Sequence, residues 1–472
     1  MPRDEIKQFY SGAEQAAAMM REKLEGGEKR TMMLAHWDAD GIAAAAIVAR
    51  CLHWMNAPFL IRFTRPLGPE DIAEVGKEDY DFFILLDQGA SQLEAIRRYL
   101  LNRGADALVI DHHPGAPLEH PNLIYFNPHL FGLRGGRDIS ASGTAYAVVE
   151  SIDVRFRSLV SLAIAGAIGD RQEFSSGFMG VNAELIRRAV ELGLIYQGEG
   201  LRLIGRTIWQ AAECLRLSTR PYVLGLSGNL MECRSLLESL EISPTRPICE
   251  AGYEKERALA DAISIRAAHA SEHEEFRHAL WGQTYARTGE GISGPRDLRD
   301  YATMLDACGS MKVPELGFSI AVGGGSYQEG MEVLKKYQEE MLRVMRWALE
   351  RLPHLKSTES FRYLIAGREV SSSLIGEAVS LLIESGLVPT DRPVVAITEK
   401  DGENAKVSAR GTIGLSDMGF DLGRALARSA SEVGGYGSGH DVAAAATIPK
   451  SRVDDFLAKL GENLKAKAAG SG

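Results

Sequence analysis

The chain has 472 residues, 45% of them hydrophobic and 25% charged, with a formal net charge of −10. That length exceeds what a single hydrophobic core ordinarily serves and points to two or three domains, while the acid excess excludes a protein that coats nucleic acid by charge alone, though not one with a basic groove on one face. No apolar run is long enough to cross a bilayer, the polar opening MPRDEIKQFYSGAEQ does not read as a secretory signal, and five scattered cysteines (Cys51, Cys214, Cys233, Cys249, Cys308) without CxxC spacing exclude a disulfide framework or zinc cluster, so a reducing cytoplasm is expected.

Residues 5–25 carry the spacing of an amphipathic helix. TMMLAH (31–36) reads as a strand, GIAAAAIVARCLHWM (41–55) as an alanine-rich helix, FLIRF (59–63) as a strand and EDIAEVG (70–76) as a short helix. DFFILLD (81–87) is a buried strand, QLEAIRRYLLNRG (92–104) a helix, ALVID (107–111) and LIYFNP (123–128) strands, and TAYAVVESI (144–152) a helix. Strands alternating with helices across short loops predict a parallel α/β sheet, and strands that are apolar throughout predict cover on both faces.

Residues 156–240 read as mostly helical, and 245–325, with EKERALADAISIRAAHASEHEEF and the Gly-rich ARTGEGISGPRD, as an intermediate or inserted region. Residues 330–352 form a long amphipathic helix that Pro353 ends. A second α/β unit follows: FRYLIAG (strand), SSSLIGEAVSLLIESG (helix), PVVAITEK and AKVSARGT (strands), 421–433 (helix), a Gly-rich loop, the strand AAAATIP and a frayed tail, KAKAAGSG. The expected division is a catalytic α/β domain at 1–215, a helical linker and intermediate region at 216–354, and a smaller α/β domain at 355–472.

Four short polar clusters each follow an apolar segment: His36-Trp37-Asp38-Ala39-Asp40-Gly41, Asp87-Gln88-Gly89, Asp111-His112-His113-Pro114 and Gly169-Asp170. The carboxyl ends of parallel strands share one crevice, where ligands bind. Three clusters stand at predicted strand ends and the fourth ends the run LVSLAIAGAIG, so fold and residues point to one place. Each cluster alone also has a structural reading: Asp40-Gly41 as a turn and helix N-cap, Asp87 as a loop or cap residue, Asp111–His113 as a turn before Pro114, Asp170 as a helix end. Together they point to metal. Five aspartates and three histidines brought together are untenable without cations, and a sulfur-free oxygen–nitrogen donor set suits Mn²⁺ or Mg²⁺ over structural zinc. Two divalent ions about 4 Å apart can clamp a phosphate, so the expected chemistry is phosphoester hydrolysis.

The order HxDxDG, a lone Asp after a strand, DHH and Gly-Asp resembles the DHH phosphoesterase superfamily, and GGYGSGHDVAAAATIP (434–449) resembles the Gly-rich signature of its DHHA1 companion domain. Chain length, the intermediate region and ATMLDACGSM (302–311) are similar to archaeal RecJ-like proteins, including the nuclease that associates with the GINS replication complex. The resemblance implies that His36, Asp38 and Asp87 hold one ion and that Asp40, Asp87, His112 and Asp170 hold the other, with Asp87 bridging two divalent ions, Mn²⁺ ahead of Mg²⁺. It implies that His113 contacts the scissile phosphate or protonates the leaving group, that Asp111 orients the histidine pair, and that Ser408, Arg410, Gly437, Gly439 and His440 bind the substrate. The chain departs from the family in reading GSGH for GGGH and in having alanine at 445 or 446 where a glycine is usual. The implied function is a cytoplasmic exonuclease of replication and repair, not membrane-bound, acting between its two domains on single-stranded DNA or RNA from 5′ to 3′ and releasing 5′-mononucleotides. The alternatives are a short-oligonucleotide or cyclic-dinucleotide phosphodiesterase and a GINS-binding replication scaffold.

Other features read two ways. Ser140–Thr144 opens a helix and is either an anion site or an ordinary cap. Arg134 and Arg137 either steer a phosphate backbone or lie solvated, and Tyr436 either stacks on a base or packs locally. Gly323–Ser326 reads as a turn, and His269, His273 and His278 as part of a solvated helix.

Overall fold

The computed structural model describes residues 3–26, 29–267, 270, 272–289 and 294–468. They form two compact units, Met1–Gly198 with Thr284–Leu334, and Glu199–Gln283 with Lys335–Gly472.

The first unit contains α1 (Arg3–Leu24), β1 (Thr31–His36), α2 (Ala39–Trp54), β2 (Phe59–Thr64), α3 (Pro69–Val75), β3 (Phe82–Leu86), α4 (Leu93–Tyr99), β4 (Asp106–Ile110), β5 (Leu123–Phe126), α5 (Ala141–Ile152), α6 (Val160–Gly169), α7 (Gly180–Glu191) and, from its second segment, α8 (Leu298–Ser310). The five strands are all parallel in the order β2-β1-β3-β4-β5. From β1 the chain goes outward to β2 and returns across β1 to β3, which makes the gap between β1 and β3 the topological switch point where such sheets bind ligands. One face buries Met32, Leu34, Phe83, Leu85 and Val109 against α3 and α4. The other carries α1, α2 and α5, so β3 and β4 are buried along their whole length. Fully buried Ala43–Ala46 on α2 give it little side-chain bulk where it packs against α5 and α6, and α8 packs on α2 and α6.

The mostly helical reading of 156–240 is corrected by a small hairpin at Glu173–Phe174 and Gly177–Phe178 and by a strand at Ile195–Leu201. In that strand Ile195 and Leu201 are buried and Tyr196, Gln197 and Glu199 are exposed, a pattern too short and polar to read from periodicity alone.

In the second unit, residues 199–283 build a helical core around Leu215, Leu237, Leu259 and Phe276. The sheet that follows comprises β6 (Lys356–Ser357), β7 (Arg362–Gly367), β8 (Val394–Glu399), β9 (Asn404–Arg410), β10 (Tyr436–Gly439) and β11 (Ala443–Pro449), with helices α9 (Tyr327–Arg351, begun in the first unit), α10 (Ile375–Glu384), α11 (Leu422–Glu432) and α12 (Val453–Ala468). Strand order is β6-β7-β8-β9-β11-β10, antiparallel except for β7 with β8. Val407, Ala444, Ala446 and Ile448 face α11 and α12, where Leu426, Phe456 and Leu460 complete the core. Residues 436–439, expected as a loop, are an edge strand whose backbone pairs with 444–447. Helix α12 has no counterpart among the predicted elements, and Ala468 of the expected frayed tail still belongs to it. Residues 469–472 lie outside the described residues, as do His269 and 290–293 of the Gly-rich stretch. Among the described residues no helix is long and apolar enough to cross a membrane.

Candidate metal centre

Strand geometry delivers the first clusters to one edge. β1 ends at His36, and Asp38 then caps α2 by accepting a hydrogen bond from Gly41 N (3.0 Å) through Oδ1. The N-cap is therefore Asp38; Asp40 lies inside the first turn of the helix. Asp38 Oδ2 stays 2.8 Å from His36 Nδ1, which is itself 3.2 Å from Asp87 Oδ2. Asp87 follows β3 in the left-handed backbone region (φ 59°), a strained conformation of the kind that persists where surroundings over-determine it. Its side chain is 2% exposed, and Oδ1 accepts no hydrogen bond of acceptable geometry although His112 Nε2 lies 3.2 Å away.

After β4, Asp111 organises the histidine pair. Its Oδ1 accepts from His112 N (2.7 Å), His113 N (3.1 Å) and His113 Nδ1 (2.8 Å), and its Oδ2 from Ala90 N (2.8 Å). His112 Nδ1 donates to the Gly135 carbonyl (2.8 Å), which turns Nε2 toward Asp87, Asp40 (3.9 Å) and Asp170 (3.7 Å). His112 is 1% exposed and His113 27%, so of the two only His113 faces an approach route.

Asp170 is the C-cap of α6, and Gln172 Nε2 donates to its Oδ2 (2.6 Å) and to the Gly135 carbonyl (2.8 Å), while Asn182 Nδ2 holds the Gln172 carbonyl oxygen (2.7 Å). Asp40 is held by the N-terminus of α5: Ala141 N donates to Oδ2 (2.7 Å) and Ser142 N to Oδ1 (3.0 Å). The helix start at Ser140–Thr144 is thus both things the sequence allowed. Ser140 caps it through Gly143 N (3.2 Å), and the anion it holds is the protein's own carboxylate.

Among the described residues of the first unit three donor groups result, each with its atoms within 4.8 Å of one another: His36–Asp38–Asp87, Asp40–Asp87–His112 and Asp87–Asp111–His113. The donors are hard oxygens and imidazole nitrogens, a set fit for divalent cations of the Mn²⁺ or Mg²⁺ type. The electrostatics agree. Burial disfavours protonation of His36 and His112, yet Asp38 and Asp87 hold the first, and Asp170, Asp87 and Asp40 the second, well above the ordinary imidazole value. Burial, then the Asp87 charge, pushes Asp40 up to about 7, and burial also raises Asp170. Burial opposes ionisation of Asp87, but His112 and His36 pull it well below the carboxylate range. Without cations the cluster balances its charge with protons, and a dication must displace them. Metal affinity is therefore expected to rise with pH through about 7, with net proton release on binding. Titration calorimetry in two buffers of unlike ionisation enthalpy checks both, and an affinity that stays flat across that range contradicts the assignment.

Several contributors carry no sequence signal as site residues. Gly135 lies so close to His112 that a Cβ there would stand 1.6 Å from the His112 carbonyl oxygen. Gly309, inside ATMLDACGSM, lies against the metal-proximal turn: its Cβ would stand 1.8 Å from the Trp37 carbonyl oxygen. Gln172 and Asn182 are buried polar residues whose partners only folding reveals.

The second unit holds the remaining predicted residues. Ser408 is 1% exposed, and Arg410 on the same strand donates to Ser380 Oγ (3.1 Å) and to the Ala409 (2.9 Å) and Ala444 (3.3 Å) carbonyls. Gly376 at the start of α10 makes room for that guanidinium: a Cβ there would lie 2.8 Å from an Arg410 terminal nitrogen. Gly437 and Gly439 lie on β10, with His440 following, half-buried, its N–H donating to the Ala443 carbonyl (2.8 Å). Arg134 is exposed and Arg137 half-buried. Gly323 takes a positive φ in a turn, as expected, and His278 is half-buried beside Arg202 rather than solvated.

Comparison with known proteins adds the lineage. Residues 30–168 match the model of the DHH family, N-terminal domain, and residues 362–466 that of the DHHA1 domain. An uncharacterised protein of Methanocaldococcus jannaschii is 26% identical over 461 residues, 95% of this chain and 96% of that one. Among solved structures, RecJ in complex with Mn²⁺ from Thermus thermophilus superposes with a TM-score of 0.57 at 18% identity over 98% of this chain and 55% of that one, so this chain spans about half its length. CDC45 from Entamoeba histolytica superposes with a TM-score of 0.61 at 10% identity over 98% of both chains.

Proposed function

Because the chain belongs to the DHH/DHHA1 superfamily of phosphoesterases, with a RecJ-like relationship, we propose that it is a two-metal phosphodiesterase, specifically a single-strand-specific 5′-to-3′ exonuclease that releases 5′-mononucleotides in replication or repair. The observation that carries the reading is Asp87: one buried carboxylate stands in both the His36–Asp38 and the Asp40–His112 donor groups, as a bridge between two ions must. Mn²⁺ is the proposed resident ion, with Mg²⁺ second, and bound at such a site the ions polarise phosphoryl oxygens and lower the pKa of water. His36, Asp38, Asp40, Asp87, His112 and Asp170 supply the ligands. His113, partly exposed and fixed by Asp111, contacts the scissile phosphate or gives a proton to the leaving oxygen. Asp111, whose burial opposes ionisation, is nonetheless held below its ordinary pKa by His113, and it keeps the imidazole oriented. Ser408, Arg410, Gly437, Gly439 and His440 receive the nucleotide beyond the cut. The division into a catalytic domain at 1–215, an intermediate region at 216–354 and a substrate-binding domain at 355–472 belongs to this proposal, as do a cytoplasmic setting and association with GINS.

The test is incubation of 5′- and 3′-labelled single-stranded DNA and RNA with the protein and Mn²⁺. Mononucleotides released progressively from the 5′ end are expected. Intact polymers with turnover of dinucleotides or cyclic dinucleotides transfer the assignment to a small phosphodiesterase, and no hydrolysis of either, with GINS co-eluting, leaves a scaffold.

A further inference from the structure

The β8–β11 sheet of the second unit has one face of which the proposed nucleotide site uses only the Ser408 and Arg410 part. Directly paired residues of antiparallel strands point to the same side. The registers therefore put Thr398, Lys406, Thr447 and Tyr436 in one row across the sheet, and Ala396, Ser408, Ala445 and Ser438 in the next, with Arg410 opposite Ala443 beyond. Helix α10 packs over β8 and β9. Over β10 and β11 the same face is only half-buried, and its floor is made of small side chains, Ala443, Ala445 and Ser438. Tyr436 rises at one end, 49% exposed. Lys400 lies 5.7 Å over its ring and donates to the Tyr436 hydroxyl and to Thr447 Oγ1, both at 3.3 Å, rather than to a carboxylate.

We propose that this trough binds a further nucleotide of a single strand, its base stacked on Tyr436 and its phosphate drawn by Lys400 and Lys406. The inference rests on the phosphodiesterase reading, which places a nucleotide at Ser408 and Arg410. Arg410 pairs with Ala443 and Tyr436 with Thr447, four residues along β11, and the two lie on the strands either side of it, so the two places are separated by ~16 Å, a stride that a few nucleotides cover. The chemistry is complementary throughout. Three cations, Arg410, Lys406 and Lys400, share the face, the small floor leaves room for a backbone, and an exposed aromatic ring accepts any base.

The experiment is fluorescence-anisotropy binding of a labelled dodecathymidylate to the full chain in Mn²⁺, read beside cleavage of the same strand. Tyr436→Ala is expected to weaken binding about tenfold and Tyr436→Trp to restore it, because stacking needs a π-face rather than a hydroxyl. Lys400→Ala is expected to weaken binding and flatten its salt dependence. An abasic residue walked along the strand should, at one position, weaken binding to the parent as much as Tyr436→Ala does, and add nothing in that variant. Dodecamer binding by Tyr436→Ala equal to the parent's, or an abasic effect undiminished in the variant, overturns the inference. Because binding is read separately from cleavage, the two failures differ: a protein that binds through Tyr436 but cuts nothing refutes the exonuclease, and one that cuts while ignoring Tyr436 refutes the trough. The ring is half in solvent, so the melting temperature of Tyr436→Ala should match the parent's, and a mismatch is met by reading Lys400→Ala in its place.

Discussion

Asp87→Ala is expected to lower phosphodiester hydrolysis on the order of 10³-fold or more, since bound metals supply several kcal/mol of transition-state stabilisation. The effect exceeds that of any other ligand substitution because Asp87 contributes to both ligand groups. Its loss should also change metal stoichiometry: calorimetry should find the second ion missing and the first weakened, where Asp38→Ala or Asp40→Ala weakens chiefly one. Position 87 keeps a positive φ, which alanine tolerates at modest strain, so the circular dichroism should remain that of the parent. Asp87→Asn supplies the conservative arm. It preserves size and tolerates the backbone conformation while removing the charge, and should be as inactive as the alanine variant. Turnover retained in either variant would refute the bridging role.

The second large effect is expected from a residue that touches no substrate. Gly166 lies on α6 where that helix passes the Asp40 carboxylate, and a Cβ there would stand 2.0 Å from Ser142 Oγ and 2.3 Å from Asp40 Oδ1. Neither atom is loose. Ser142 Oγ bonds the Ala163 carbonyl (3.1 Å), and Asp40 is pinned by two backbone N–H groups of α5. Gly166→Ala should therefore cost ~1–3 kcal/mol of stability, the usual range for overpacking a well-filled core. It should also displace Asp40, reducing activity about 10- to 100-fold, as loss of a residue that orients a ligand does. Thermal melting and Mn²⁺ titration of the variant separate the two: excess Mn²⁺ should recover part of the activity and little of the melting temperature. Parent-like values of both would mean that α6 and α5 can separate at no cost, contrary to the packing described.

The clusters at positions 36–40, 87 and 111–113 were legible because of where they stand. Each follows a short apolar run of strand length, and in a parallel sheet all such ends lie on one edge. Asp170 was legible for a weaker reason, the end of an apolar helix. The elements that set those side chains at working distances were not legible. Gly135, Gly309, Gln172, Asn182 and the backbone N–H groups of Ala141 and Ser142 act mostly on partners far away in the chain, and nothing local to them marks the partner. The strand at 436–439 shows the same limit from another side. Glycines read as a loop because they lack β-propensity, yet the backbone of β11 supplies the ladder that makes them an edge strand.

From the sequence alone came the alternation of strands and helices, the chemical type of the donor set and the sharing of one sheet edge, because apolar period and strand polarity are local properties written residue by residue. The tertiary structure decided which carboxylate the donor groups share, which histidine faces outward and which helix end holds Asp40. Those depend on distances between segments far apart in the chain, and such distances exist only once the helices have packed.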